Sequence, residues 1–154
     1  MRYALTGAPL FVHCCHCRWC PRESGSAFAL NAKIESDRVV RRSGQPERVT
    51  TPSNSGRGQI IVRCPQCRVA LWSHCAGADD AVSLVRVGTL DDPDRLPSDI
   101  HIFTASRQPW VVLAPDVPAV AEYYDLKQHW PAASQARRRE LLARAKDGRS
   151  TPAG

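Results

Sequence analysis

Residues 13–20 read "HCCHCRWC", and four of the chain's seven cysteines fall within these eight residues. Cys15, Cys17 and Cys20 are the informative set. A C-x-C pair presents two sulfurs to one point when a turn or bulge brings both inward, and Cys20 closes over that point after two spacers. Three thiolates so placed can hold one Zn²⁺ at Zn–S distances of about 2.3 Å, with a fourth position open. An open position distinguishes a catalytic zinc from a purely structural one. A second pair, Cys64-Pro65-Gln66-Cys67, lies between two strand-like runs and has the form of a zinc knuckle, half of a four-thiolate site. A thioredoxin-like redox reading of either pair lacks the surrounding βαβ pattern.

The other candidate donors read differently. Cys14 and Cys75 are expected to be buried small hydrophobes. His13, His74, His101 and His129 are scattered and read as structural or surface histidines, while His16 is expected to turn away from its cysteine neighbours. His16 and His101 are candidates for a general base by their chemistry alone.

The chain of 154 residues fits one domain. Twelve prolines and nine glycines, spread along it, favour short elements. No apolar run of about 18 residues predicts a membrane span, and the start is too quickly broken for a signal peptide. These features predict a cytoplasmic protein, a setting in which clustered cysteines are metal ligands or redox groups more often than disulfides. The net charge of +6 is uneven. Residues 131–154 carry six bases and two acids, leaving fifteen bases and thirteen acids in the first 130 residues. A nearly neutral body with a basic tail lacks the aromatic-studded basic face of a nucleic-acid binder.

Strand signals dominate: 2–6, 10–14, 26–34, 58–64, 69–75, 81–88, 101–104 and 110–113, with a hairpin expected from 37–44 and 47–51 around Gly44. Helix is expected only near the end, over 122–130 and 133–147, with residues 148–154 disordered. Leu141, Leu142 and Ala145 give the last helix a thin apolar side. The resulting division is a β domain over 1–130 and a basic helical and disordered tail over 131–154.

The ordered set "CHCRWC" (15–20), "SGSAFA" (24–29), "CPQC" (64–67), "VGTLDDP" (87–93), "HIFTASRQPW" (101–110) and "YYD…WPAAS" (123–134) resembles the glutathione-dependent formaldehyde-activating enzyme family, also called the centromere protein V/Gfa domain. The resemblance spans roughly residues 2–130. It implies a mainly β fold, a small β-tent of short antiparallel strands with zinc knuckles, here followed by a C-terminal helix. It implies Zn²⁺ as cofactor, with Cys15, Cys17 and Cys20 at one site and Cys64 and Cys67 as half of a structural four-cysteine site. The implied activity is that of a carbon–sulfur lyase, S-hydroxymethylglutathione synthase-like, joining a small thiol such as glutathione to formaldehyde or a related aldehyde. The alternative is a non-catalytic zinc-binding module of the same fold. A protein ligand at the fourth position of the Cys15/Cys17/Cys20 zinc would favour the module.

Two departures stand out. Arg68 occupies the position where the family usually has glycine. The family's N-terminal C-x-C is missing, since Met1 stands where the family has the valine that follows it. GTG, a valine codon, can serve as a bacterial start, so the expectation is a native start displaced upstream and, for these 154 residues, a weakly held metal at Cys64/Cys67.

Overall fold

The computed structural model describes residues 1–53, 56–75 and 80–149. Nine strands form: β1 (Arg2–Leu5), β2 (Phe11–Cys15), β3 (Ala29–Glu35), β4 (Val39–Ser43), β5 (Glu47–Thr51), β6 (Gln59–Arg63), β7 (Ala70–Cys75), β8 (Val82–Arg86) and β9 (Ile100–Ile102). Three helices accompany them: α1 (Trp19–Ser24), α2 (Leu126–His129) and α3 (Ala132–Arg149). Seven strands make one sheet in the order β5-β6-β7-β8-β3-β2-β9, and β1 and β4 make a separate two-stranded ribbon. This is the mainly β architecture expected of a β-tent, with knuckle-like cysteine clusters and a C-terminal helix.

Alternation along the central strands creates two apolar layers, because successive side chains point to opposite faces. Val12, Ala32, Ile34, Val62, Leu71, Val85 and Val87 share one core, against which Tyr3, Leu5 and Val39 of the ribbon pack. Tyr3 meets Trp72 edge-on with centroids 5.3 Å apart. Leu10, Phe11, Ile100, Ile102, Tyr124 and Trp130 form the second core on the other side of β2 and β9. Full burial of each such side chain is worth about 1.5–3 kcal/mol, so the two layers clamp β2 from both faces.

Three local expectations are corrected. The 37–44 and 47–51 segments do not pair as a hairpin: β4 pairs with β1 and β5 with β6. Gly44 at φ 75° and the following Gln45-Pro46 carry the chain from one sheet to the other. Residues 110–113 are not a strand. Trp110 and Val112 stand out in solvent, and the flanking Pro109 and Pro115 remove ladder donors. Helix is not confined to the end, because α1 directly follows the cysteine cluster. Pro21 sits in its first turn, where no backbone donor is needed. Gly25 ends it in the left-handed conformation at φ 69°, its N–H reaching the Pro21 carbonyl at 2.8 Å.

The expected helix over 122–130 is reduced to the single turn of α2, capped by the Asp125 carboxylate on the Lys127 N–H. α3 extends to Arg149, two residues past the expected end, so residues 148 and 149 of the stretch expected to be disordered are helical, and its remainder, 150–154, lies outside the described residues. α3 is tied to the sheet. Ser134 and Leu141 are buried, and Arg137 reaches Glu35 at the end of β3. Among the described residues no helix is long and apolar enough to cross a membrane.

Candidate metal centre

β2 ends at Cys15, the chain turns through Cys17, and α1 presents Cys20 from its first turn. The three sulfurs all lie within 4.8 Å of one another, and those of Cys17 and Cys20 are 3.5 Å apart. A tetrahedral ion with metal–sulfur bonds of about 2.3 Å would space its sulfurs about 3.7 Å apart, so the donor set fits a thiophilic ion such as zinc. Cys15 and Cys17 are buried and Cys20 half-buried. Hydrogen bonds from Cys15 and Cys20 hold the Cys17 thiol well below its ordinary value, and the same bonding pushes Cys15 up. A metal bound at this cluster would need the thiolate forms and would release protons.

Strand pairing supplies the surroundings. Asn31 faces Arg86 across the β3–β8 ladder, and the Arg86 guanidinium donates to the Asn31 side-chain oxygen. The bond with Cys15 lowers the Cys20 thiol, but the bond with Cys17, burial and the charge of Cys17 push it up to about 12, and the charge of Arg86 offsets only a small part of that rise. His13 lies on the same face of β2 as Cys15, edge-on to Tyr123 at 6.3 Å and tilted against Tyr124 at 6.2 Å. Burial, then the charges of Lys33 and Arg86, lower its pKa to about 3, so its imidazole is neutral. Lys33 stands over the rings of Tyr123, Tyr124 and Trp130 at 5.2–5.8 Å, and burial lowers it to about 8. A cavity of about 660 Å³ lies along β1, near Tyr3 and Asp91. A second, of about 570 Å³, opens beside α1, lined by Glu23, Ser24, Phe28, Arg63, Arg68 and Arg86 among others. Arg86, whose charge acts on Cys20, lines the second.

The neighbouring Cys14 belongs elsewhere. Its sulfur groups with nitrogens of His16 and His101, not with the three-cysteine set. His101 therefore is not the isolated structural histidine that its place in the sequence suggests. Burial lowers the pKa of both imidazoles. His74 matches its structural reading, buried with Nδ1 3.2 Å from the Val82 carbonyl oxygen, whereas Cys75 is exposed and corrects the expectation of a buried small hydrophobe. His129 packs edge-on to Tyr124.

Cys64 and Cys67 flank a tight turn. The Arg68 N–H donates to the Cys64 carbonyl at 2.9 Å, and the Cys64 N–H to the Val69 carbonyl at 3.0 Å. Backbone N–H groups of Cys67 and Gln66 lower the Cys64 thiol to about 7. Cys64 is buried and Cys67 exposed, and among the described residues no third donor joins them in a cluster. Arg68 adopts φ 61°, a left-handed conformation that explains the glycine expected there. Neither Arg86 nor Asn31 carried a motif signal. The register of β3 on β8 is what pairs them.

No curated protein matches the chain. The model of the GFA family, glutathione-dependent formaldehyde-activating enzyme, matches residues 1–106. That span takes in the three-cysteine cluster, the Cys64/Cys67 turn, Arg86 and His101, and the chain belongs to the glutathione-dependent formaldehyde-activating enzyme family.

Proposed function

We propose that the protein is a zinc-dependent carbon–sulfur lyase-type enzyme that joins a carboxylate-bearing thiol to formaldehyde or a related small aldehyde, and runs the reverse reaction, at Cys15, Cys17 and Cys20. The supporting observation is the three-sulfur group, together with Arg86, whose charge acts on Cys20 and which lines a cavity. Cys14, the nearest spare thiol in sequence, groups with His16 and His101 instead, which favours an open fourth position over a closed structural site.

A zinc ion on these three thiolates supplies a position at which a thiol loses its proton at neutral pH and a carbonyl oxygen is polarised. The remaining roles fall to the chain. Arg86, steadied by Asn31, offers a guanidinium to a carboxylate of the thiol substrate and aims its sulfur at the cluster. Arg68, at the rim of the same cavity, is the second candidate carboxylate partner. Phe28, half exposed, supplies an apolar wall. In the forward direction the substrate sulfur's electron pair forms the C–S bond, the carbonyl π pair moves to oxygen, and that oxygen takes up a proton. The reverse direction returns the pair to sulfur. The family name supports glutathione and formaldehyde as the first substrates to test.

The test is exchange NMR of glutathione, formaldehyde and S-hydroxymethylglutathione with the zinc-loaded protein. Interconversion faster than the spontaneous rate is expected, with a raised KM for the thiol in Arg86→Gln and loss of the acceleration in Cys17→Ser. A rate equal to the spontaneous one, with zinc bound at the cluster, would overturn the enzyme reading in favour of the zinc-stapled module.

A further inference from the structure

We propose that Cys14, His16 and His101 form a second, separate metal site, of two imidazoles and one thiolate, on the opposite face of β2 from the three-cysteine cluster.

β2 and β9 are parallel, and Cys14 is the register partner of His101. The His16 N–H continues this pairing onto the Ile102 carbonyl at 3.0 Å, one step beyond the end of β2. Residues 14 and 16 therefore share a side, and His101 joins them. Phe11, Cys15, Ile100 and Ile102 take the other side, inside the second core. The run Cys14-Cys15-His16-Cys17 thus deals its donors alternately to two sites. Sulfur and nitrogen goes one way, sulfur and sulfur the other.

The donors are close enough and free enough. One ligand atom from each lies within 4.8 Å of the others, and His16 Nε2 is 2.9 Å from His101 Nδ1. Metal–nitrogen bonds of about 2.0–2.1 Å in a tetrahedron need a nitrogen separation of about 3.3 Å, a shift of a few tenths of an ångström. The three residues are 3%, 1% and 9% exposed. Among the described residues no carboxylate or amide side chain bonds any of them, and His16 Nδ1 and His101 Nε2 have no hydrogen-bond partner. Two imidazoles and a thiol buried together, with only each other as partners, are poorly explained as a structural network, since such networks satisfy their members. The donor set selects a borderline ion, zinc or cobalt(II), over magnesium or calcium. The Cys64/Cys67 pair, by contrast, has no third donor in reach among the described residues. Among the described residues, the two-histidine group is therefore the second cluster with three donors in reach. The inference rests on this donor geometry and not on the proposed activity.

The experiment is cobalt(II) and zinc reconstitution of the full chain, read by metal content and by the cobalt ligand-field spectrum. About two equivalents per chain are expected. Cys14→Ser and His101→Gln should each lose about one equivalent and keep the thiolate-to-cobalt charge-transfer band of the three-cysteine site, and Cys64→Ser should lose none. Unchanged stoichiometry in both Cys14→Ser and His101→Gln would overturn the proposal, as would loss of the second equivalent in Cys64→Ser alone. If those variants fail to fold, zinc X-ray absorption of the wild-type chain decides. Imidazole scattering supports the site, and a sulfur-only shell refutes it.

Discussion

Arg137 of α3 forks onto Glu35 at the end of β3, its Nε 2.9 Å from Oε1 and its Nη2 2.7 Å from Oε2. The same guanidinium reaches the Ala8 carbonyl at 3.0 Å, and Arg38 stands 3.6 Å from the carboxylate. Glu35 is buried, so this pair joins the basic C-terminal helix to the sheet. Hydrogen bonds to a charged group contribute about 1.5–3 kcal/mol, while Arg38 keeps part of the compensation when Arg137 is removed. Arg137→Met is expected to lower stability by about 1–3 kcal/mol in urea unfolding. Truncation after Trp130 is expected to lower the melting temperature as well, since it also removes buried Leu141. An unshifted melting curve would show that α3 docks without stabilising the sheet.

The same pair sets an acid limit. Burial pushes the Glu35 carboxyl up, but hydrogen bonds from Arg137 and the backbone, with the charges of Arg137 and Arg38, bring it below its ordinary 4.5. A carboxylate with a depressed folded-state pKa contributes stability above its unfolded value and loses it as pH falls through the folded one. The stability difference between wild type and Arg137→Met is therefore expected to be flat from pH 6 to about 8 and to shrink below about 4.5. Denaturant titrations at stepped pH check this, and a gap that widens in acid would contradict it.

Arg68 holds φ 61° at the close of the Cys64–Cys67 turn. A side chain in that conformation costs about 1–2 kcal/mol, part of which glycine returns as unfolded-state entropy. The ion pair of Arg68 with Glu47 is exposed on both sides and offsets little. Arg68→Gly is expected to raise stability by about 0.5–1 kcal/mol, whereas Arg68→Ala is expected to gain nothing. Equal effects of the two substitutions would place the cause outside the backbone conformation.

Cys17 is buried, and hydrogen bonds from Cys15 and Cys20 hold its thiol below its ordinary value. Cys17→Ser is expected to lower zinc content by about one equivalent and to reduce thermal stability of the zinc-loaded protein. Mass spectrometry under native conditions reads the first and scanning calorimetry the second. Unchanged zinc stoichiometry would remove Cys17 from the ligand set.

The local readings that survived folding were those with local causes. The short strands from Arg2 to Ile102 follow β-branched runs between turn residues, and Glu47–Thr51 has the expected bounds. The misreadings had non-local causes. Residues 110–113 look like a strand by composition but have no ladder to join, and β4 and β5 part because their better partners, β1 and β6, come from elsewhere in the chain. α1 carries no sequence signal because its six residues are too few for a helical period.

The sequence by itself determined that Cys15, Cys17 and Cys20 converge, because their spacing leaves the chain few other ways to run, and the same is true of the Cys64–Cys67 turn. It also determined the family, through an ordered set of short motifs. Only the tertiary structure decided that Cys14 and His16 leave that cluster to meet His101, 85 residues further along the chain from His16, and that Arg86 bonds Asn31 across the β3–β8 ladder. The reason is the two-residue period of a strand. Local sequence fixes which side chains alternate, but the face each set meets depends on which strand pairs alongside and in what register. The parallel β2–β9 and antiparallel β3–β8 ladders supply that register, and it is set by burying Val12 and Ala32 on one side and Phe11 and Ile102 on the other.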